Sequence, residues 1–90
     1  MPHFQNEDAP YRAWLEAHPG AFAVNSTYQP TPGYLVLHRA TCGKARQQNP
    51  TSTDYSKFGA LTLEEARDFA TGIGGELRAC QICHPLEPEA

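Results

Sequence analysis

Cysteine is scarce in this 90-residue chain, with only three present, and an odd number cannot complete a disulfide framework. No run approaches the roughly 20 consecutive apolar residues that a membrane-crossing helix needs, so no membrane partner is expected. Excess positive charge is also missing. Seven basic against ten acidic residues give a formal charge of −3, whereas a nucleic-acid binder usually carries net positive charge. There is no internal repeat and no low-complexity segment. Met1 leads straight into polar PHFQNEDAP rather than a secretory leader, so the expected location is the cytoplasm, where thiols stay reduced. At this length the chain forms one domain, 1–90, and its core is small enough to call for a staple.

The three cysteines that are present suggest that staple. His38 and Cys42 stand in LHRATC as His-x3-Cys, and Cys80 and Cys83 stand in ACQICHP as Cys-x2-Cys, with 37 residues between the pairs. Two close-spaced pairs can each sit on a tight turn and present two lone pairs to one tetrahedral ion. The expected cofactor is therefore Zn2+ on His38, Cys42, Cys80 and Cys83. A Cys80–Cys83 or Cys42–Cys80 disulfide with a leftover thiol is the competing reading, as are three unrelated cysteines. A redox Cys-x-x-Cys would open a helix, whereas Pro85 and a short acidic tail follow here. His84 is a rival ligand, but it directly follows Cys83 and is expected to point away from the same turn.

Hydrophobic patterning gives an α+β domain. Residues 1–7 are polar and expected to be flexible, and 86–90 form a tail. Asp8 can cap a short N-terminal helix with Pro10 in its first turn and Ala13, Trp14 and Ala17 as apolar positions. His18-Pro19-Gly20 stops it. AFAVN and YLVLH read as a β-hairpin over 21–38, turning at STYQPTPG, with Tyr34, Val36 and His38 on one face and Leu35 and Leu37 on the other. Residues 43–54 form a polar loop. YSKFGAL is a short strand, and Thr62-x-x-Glu65 is a capping box opening a helix in the C-terminal half. Leu63, Ala66, Phe69, Ala70 and Ile73 form its core stripe. Gly72, Gly74 and Gly75 end that helix, and ELRAC is a last short strand leading to Cys80. The expected architecture is a helix, a hairpin or short antiparallel sheet, a second helix and a zinc site.

The run from Leu35 to Pro85 (LHRATC, LTLEEARDFATGIGGELRAC, QICHP) resembles the Ada-type zinc-binding domain of bacterial DNA alkylation-repair proteins. Trp14-Leu15, His18-Pro19, Asn25 and LHRATC are also similar to small actinobacterial domains associated with restriction systems and mobile elements. The resemblance implies a zinc module over 35–85 with a treble-clef or Ada-like site, in a bacterial restriction or repair context. In the repair family the first ligand is a cysteine that accepts a methyl group from a DNA phosphotriester. His38 occupies that place here, and an imidazole cannot play the part, so the scaffold carries over and the chemistry does not. Four protein ligands leave no open position for a water, which argues against metal-assisted hydrolysis.

The charge is unevenly spread. Arg39, Lys44, Arg46 and Lys57 face a single acid, Asp54, across 39–57, with Tyr55 and Phe58 nearby as candidate stacking groups. The first expectation is thus a non-catalytic zinc module that binds nucleic acid, DNA being the partner the resemblance implies, through Arg39, Lys44, Arg46 and Lys57. The alternative is a protein-interaction or regulatory module whose zinc is purely structural. Thiol chemistry at a zinc-bound cysteine is the third reading.

Overall fold

The computed structural model describes residues 2–27, 29–43, 55–83 and 85–86. Five strands and two helices follow the order β1 (His3–Phe4), α1 (Asp8–Ala17), β2 (Phe22–Thr27), β3 (Leu35–Arg39), β4 (Tyr55–Ala60), α2 (Leu63–Ile73) and β5 (Arg78–Ala79). The strands form one sheet in the spatial order β1-β4-β2-β3-β5. Every neighbouring pair is antiparallel except β3 and β5, which run parallel. The domain is α+β as expected, but the sheet is larger than a hairpin and it is mixed. A parallel strand needs a crossover connection. Here α2 supplies it, between β4 and β5.

Residues 1–7 were expected to be loose, yet His3 and Phe4 pair with Phe58 and Lys57 of β4. The signal is short: two residues whose pairing becomes favourable only once β4 is in place. Phe4 is buried and its ring meets Tyr11 and Trp14.

The α1 helix forms where expected, with a different buried stripe. Asp8 is its first residue rather than its cap; Glu7 occupies the cap position without a side-chain capping bond to the helix. Tyr11 and Leu15, one turn apart, are fully buried, whereas Ala13 and Ala17 are exposed. The larger side chains take the inner face because they remove more apolar area from water. Trp14 lies half-buried beside them, its indole covering Gly59 so closely that a Cβ there would sit 2.7 Å from the ring. His18 ends the helix, its Nδ1 within 2.9 Å of the Trp14 carbonyl.

The α2 helix follows its sequence signals closely. The Thr62 hydroxyl accepts a hydrogen bond from the Glu65 N–H at 3.1 Å. Glu64 and Glu65 place negative charge in the first turn, where the helix dipole favours it. At the other end Gly74 adopts φ 86°, and the Gly75 N–H returns to the Ala70 carbonyl. That left-handed end is open to glycine at little steric cost.

Two apolar clusters result. On one side of the sheet Val24, Leu35, Leu37 and Ala60 pack against Ala66 and Ala70 of α2, with Phe22, Phe58, Leu63, Phe69 and Ile73 around them. On the other, Phe4, Ala21 and Ala23 pack with Tyr11 and Leu15 of α1, and this cluster runs into Ala40, Cys42 and Cys80. Leu35 and Leu37 therefore face α2 while His38 faces the α1 side, as period-two alternation predicts.

Candidate metal centre

The β3 strand delivers the first ligand pair. His38 lies opposite Ala23 in the β2–β3 ladder, and the Ala40 N–H extends that ladder to the Ala21 carbonyl at 2.9 Å. The chain then turns, with the Cys42 N–H on the Arg39 carbonyl at 3.0 Å. The second pair arrives on β5. Arg78 and Ala79 pair with Val36 and Leu37, and the Cys80 N–H donates to the Leu37 carbonyl at 2.9 Å. Cys80 is thereby set next to His38, and the following turn folds Cys83 back over the end of β3.

The four side chains converge. The ligand atoms of His38, Cys42, Cys80 and Cys83 all lie within 4.8 Å of one another and could hold a metal ion. His38, Cys42 and Cys80 are buried and Cys83 is half-buried. The Cys42 and Cys80 sulfurs are 3.9 Å apart. Two sulfurs on a tetrahedral ion at about 2.3 Å stand about 3.8 Å apart, while a disulfide requires about 2.05 Å. All three cysteines are free thiols, so the disulfide reading does not hold.

The surroundings suit anionic sulfur. The Arg39 N–H points at the Cys83 sulfur at 3.3 Å and the Ile82 N–H at the Cys80 sulfur at 3.4 Å. The Arg39 Nε also donates to the Cys83 carbonyl at 3.1 Å, tying the second turn to the end of β3. Burial pushes the Cys80 thiol up, but hydrogen bonds from the backbone N–H groups of Cys83 and Ile82, together with those to the Cys83 and Cys42 side chains, leave its pKa below the usual thiol value. Cys83 is pushed up to about 11, by burial first and then by the neighbouring Cys42 sulfur, against the Arg39 N–H. Three thiols this close cannot all ionise without a cation among them, since each thiolate opposes the next.

His38 fits the same account. Burial, and next the charge of Lys57, lower its pKa to about 4, so the ring is neutral near pH 7 and keeps a lone pair for a metal. Its Nδ1 is buried with no hydrogen-bond partner among the described residues. A ligated ion, or a partner lying beyond those residues, would offset the cost of that burial.

Of the residues expected to meet nucleic acid, only Arg39 and Lys57 are among the described residues. Lys44 and Arg46 lie outside the described residues, as does His84. Arg39 is half-buried against Cys83. Lys57 is 3% exposed, and its ammonium donates to the Asn25 Oδ1 at 2.7 Å, so it does not stand out from the surface as a solvated loop cation would. Its position on β4, opposite Asn25 and Phe4, turns it toward the α1 side of the sheet. Burial, opposed by the Asp8 carboxylate, lowers its pKa to about 8. Phe58 is likewise no stacking platform, since its ring stacks on His3 at 4.2 Å and packs against Phe69 at 4.5 Å.

Sequence reasoning missed the neighbourhood of Lys57. Beside the metal cluster lies a cavity of about 360 Å³, lined by Lys57, Arg78, Asn25, Tyr34, His38 and Cys80 among others. The alternation of polar residues in β2 and β4 (Asn25, Lys57) was the available signal, legible only with the register known. Among the described residues no helix is long and apolar enough to cross a membrane. The chain matches no protein-family model, no curated protein and no solved structure.

Proposed function

We propose that His38, Cys42, Cys80 and Cys83 hold one zinc ion in a closed structural centre, and that the domain is a non-catalytic binding module built on it. The convergence of the four ligand atoms within 4.8 Å carries this reading. One imidazole and three thiolates suit zinc, whose tetrahedral structural sites include this donor set. Four protein donors fill the coordination shell, so the ion supplies folding energy rather than an activated water. The ion ties β5 and its following turn to the end of β3, where the strand pairing alone is two residues long.

Between the two kinds of partner, we favour an interaction or regulatory role over a nucleic-acid one. Nucleic-acid binding through Arg39, Lys44, Arg46 and Lys57 needs these side chains on one accessible surface. Lys57 is buried and Arg39 braces Cys83. The likeness of LHRATC and Cys-x2-Cys-x-Pro to the Ada-type module supports a related way of setting two ligand pairs around one ion, and a bacterial restriction or repair setting rests on that likeness alone.

Elemental analysis of the purified chain after exhaustive dialysis tests the centre. One zinc per chain is expected, and a stably folded chain free of metal would refute it. An electrophoretic shift with duplex DNA across a salt series tests the partner. No salt-sensitive complex is expected; a complex that weakens steeply with salt would restore the nucleic-acid reading.

A further inference from the structure

The cavity next to the metal cluster has a composition that the metal itself does not require. Two cations, Lys57 and Arg78, line it, and no carboxylate does among the described residues. Asp8 steadies the charge of Lys57 but is not part of the lining. In a chain with ten acids and seven bases, a recess with two cations and no acid is a local reversal of the overall charge.

The polar groups are held in place. The Lys57 ammonium donates to the Asn25 Oδ1 at 2.7 Å, and the Asn25 Nδ2 donates to the Tyr34 hydroxyl at 3.0 Å. The first bond fixes which end of the Asn25 amide faces Lys57, and the second fixes the phenol. A lysine 3% exposed loses hydration, and burying one is costly unless something offsets it. Here an acceptor is supplied and the side chain opens onto a recess rather than onto packed apolar groups. Val36 on β3 and Ile82, 67% exposed at the turn between Cys80 and Cys83, give the recess apolar wall beside the polar Gln81 and His38. About 360 Å³ lies at the small end of ligand cavities, which combine apolar walls with a few fixed polar groups.

We propose that this cavity binds a small organic anion, its oxyanion head held by Lys57 and Arg78 and its apolar body resting on Val36 and Ile82. The ammonium is a point charge at the recessed end of the Asn25–Tyr34 chain, and the guanidinium offers planar, paired donors to an oxyanion. The Cys80 sulfur opposes an anion, and the two cations outnumber it. The inference gives a ligand class to the binding role proposed above and rests on it. The metal enters by holding the turn that carries Ile82.

The test is a titration of the full metal-loaded chain followed by amide correlation NMR, with benzoate and phenyl phosphate as anionic probes and benzyl alcohol as the neutral one. Saturable shifts confined to Val36, Lys57 and 78–82 are expected with an anionic probe and not with benzyl alcohol. Arg78→Ala, at an exposed position, should keep fold and zinc and weaken binding by about tenfold, the scale of one charge-assisted hydrogen bond. Lys57→Met should weaken it as well, with folding checked by the same spectra. No saturable shift, an equal response to benzyl alcohol, or unchanged binding by Arg78→Ala would overturn the proposal. So would saturation of these residues by a single-stranded oligonucleotide alone, since a nucleic-acid backbone would then be the occupant. Zinc is measured on the same samples. A zinc-loaded chain that ignores the anions refutes the cavity proposal only, and a zinc-free chain that binds them refutes the metal centre only.

Discussion

On the α2 side of the sheet, β2, β3 and β4 contribute Val24, Leu35, Leu37 and Ala60, and the helix answers with Ala66 and Ala70. On the α1 side the same three strands contribute Ala23, Asn25, His38 and Lys57, and α1 covers only part of them with Tyr11 and Leu15. The first side closes by apolar contact between close-fitting side chains. The second has alanines where the first has leucines, and polar groups where it has none of comparable size. What completes it is a ligand cluster at one end and a hydrogen-bonded polar recess beside it. A small domain can thus divide its labour: one side of the sheet carries ordinary packing, and the other carries the candidate metal ligands and the polar recess.

The largest expected effect strikes the side that carries the ligand cluster. Cys80→Ser should remove a ligand, abolish stoichiometric zinc and cost most of the folding free energy, because metal binding and folding are coupled in domains this small. Zinc content and urea unfolding measure it. A variant that unfolds at the wild-type midpoint would mean that the two sides close by the same means. Next comes the packed side: Leu37→Ala, at a fully buried position, should cost about 2–5 kcal/mol through lost burial and a cavity. The molecules that remain folded should keep one zinc each, because the cavity opens away from the cluster.

A smaller effect is expected where α1 meets the sheet. Gly59→Ala forces the Trp14 indole away from β4 and should cost about 1–3 kcal/mol. Its readout is a shifted tryptophan emission with zinc content intact. The smallest effect concerns Lys57. Its pKa falls from 10.5 to about 8 in the folded chain, so between these values the unfolded chain binds more protons and stability rises with pH. Lys57→Met should flatten that rise, leaving stability near neutral pH within about 1 kcal/mol of wild type, since lost hydrogen bonding to Asn25 and relief of a buried charge offset each other. Denaturant unfolding at several pH values decides it, and an unchanged alkaline slope would show that another group carries the rise.

Features that depend on near neighbours are legible in the chain alone. Thr62 and Glu65 mark the start of α2 and Gly74 its end, because capping uses groups three or four residues apart. The alternation of YLVLH separates Leu35 and Leu37 from His38, because successive strand side chains point to opposite faces. The spacing within each of the two ligand pairs is likewise written in the chain. Tertiary structure decided what depends on partners far away. The joining of the two ligand pairs follows from β5 lying parallel to β3, a register that no local pattern states. The ordering of His3 and Phe4 follows from the free edge of β4. Lys57 looks like a surface cation in the sequence because its type and its polar neighbours say so. It is buried because Asn25, thirty-two positions earlier, and Phe4 happen to lie opposite it, and burial is set by what covers a residue rather than by what it is.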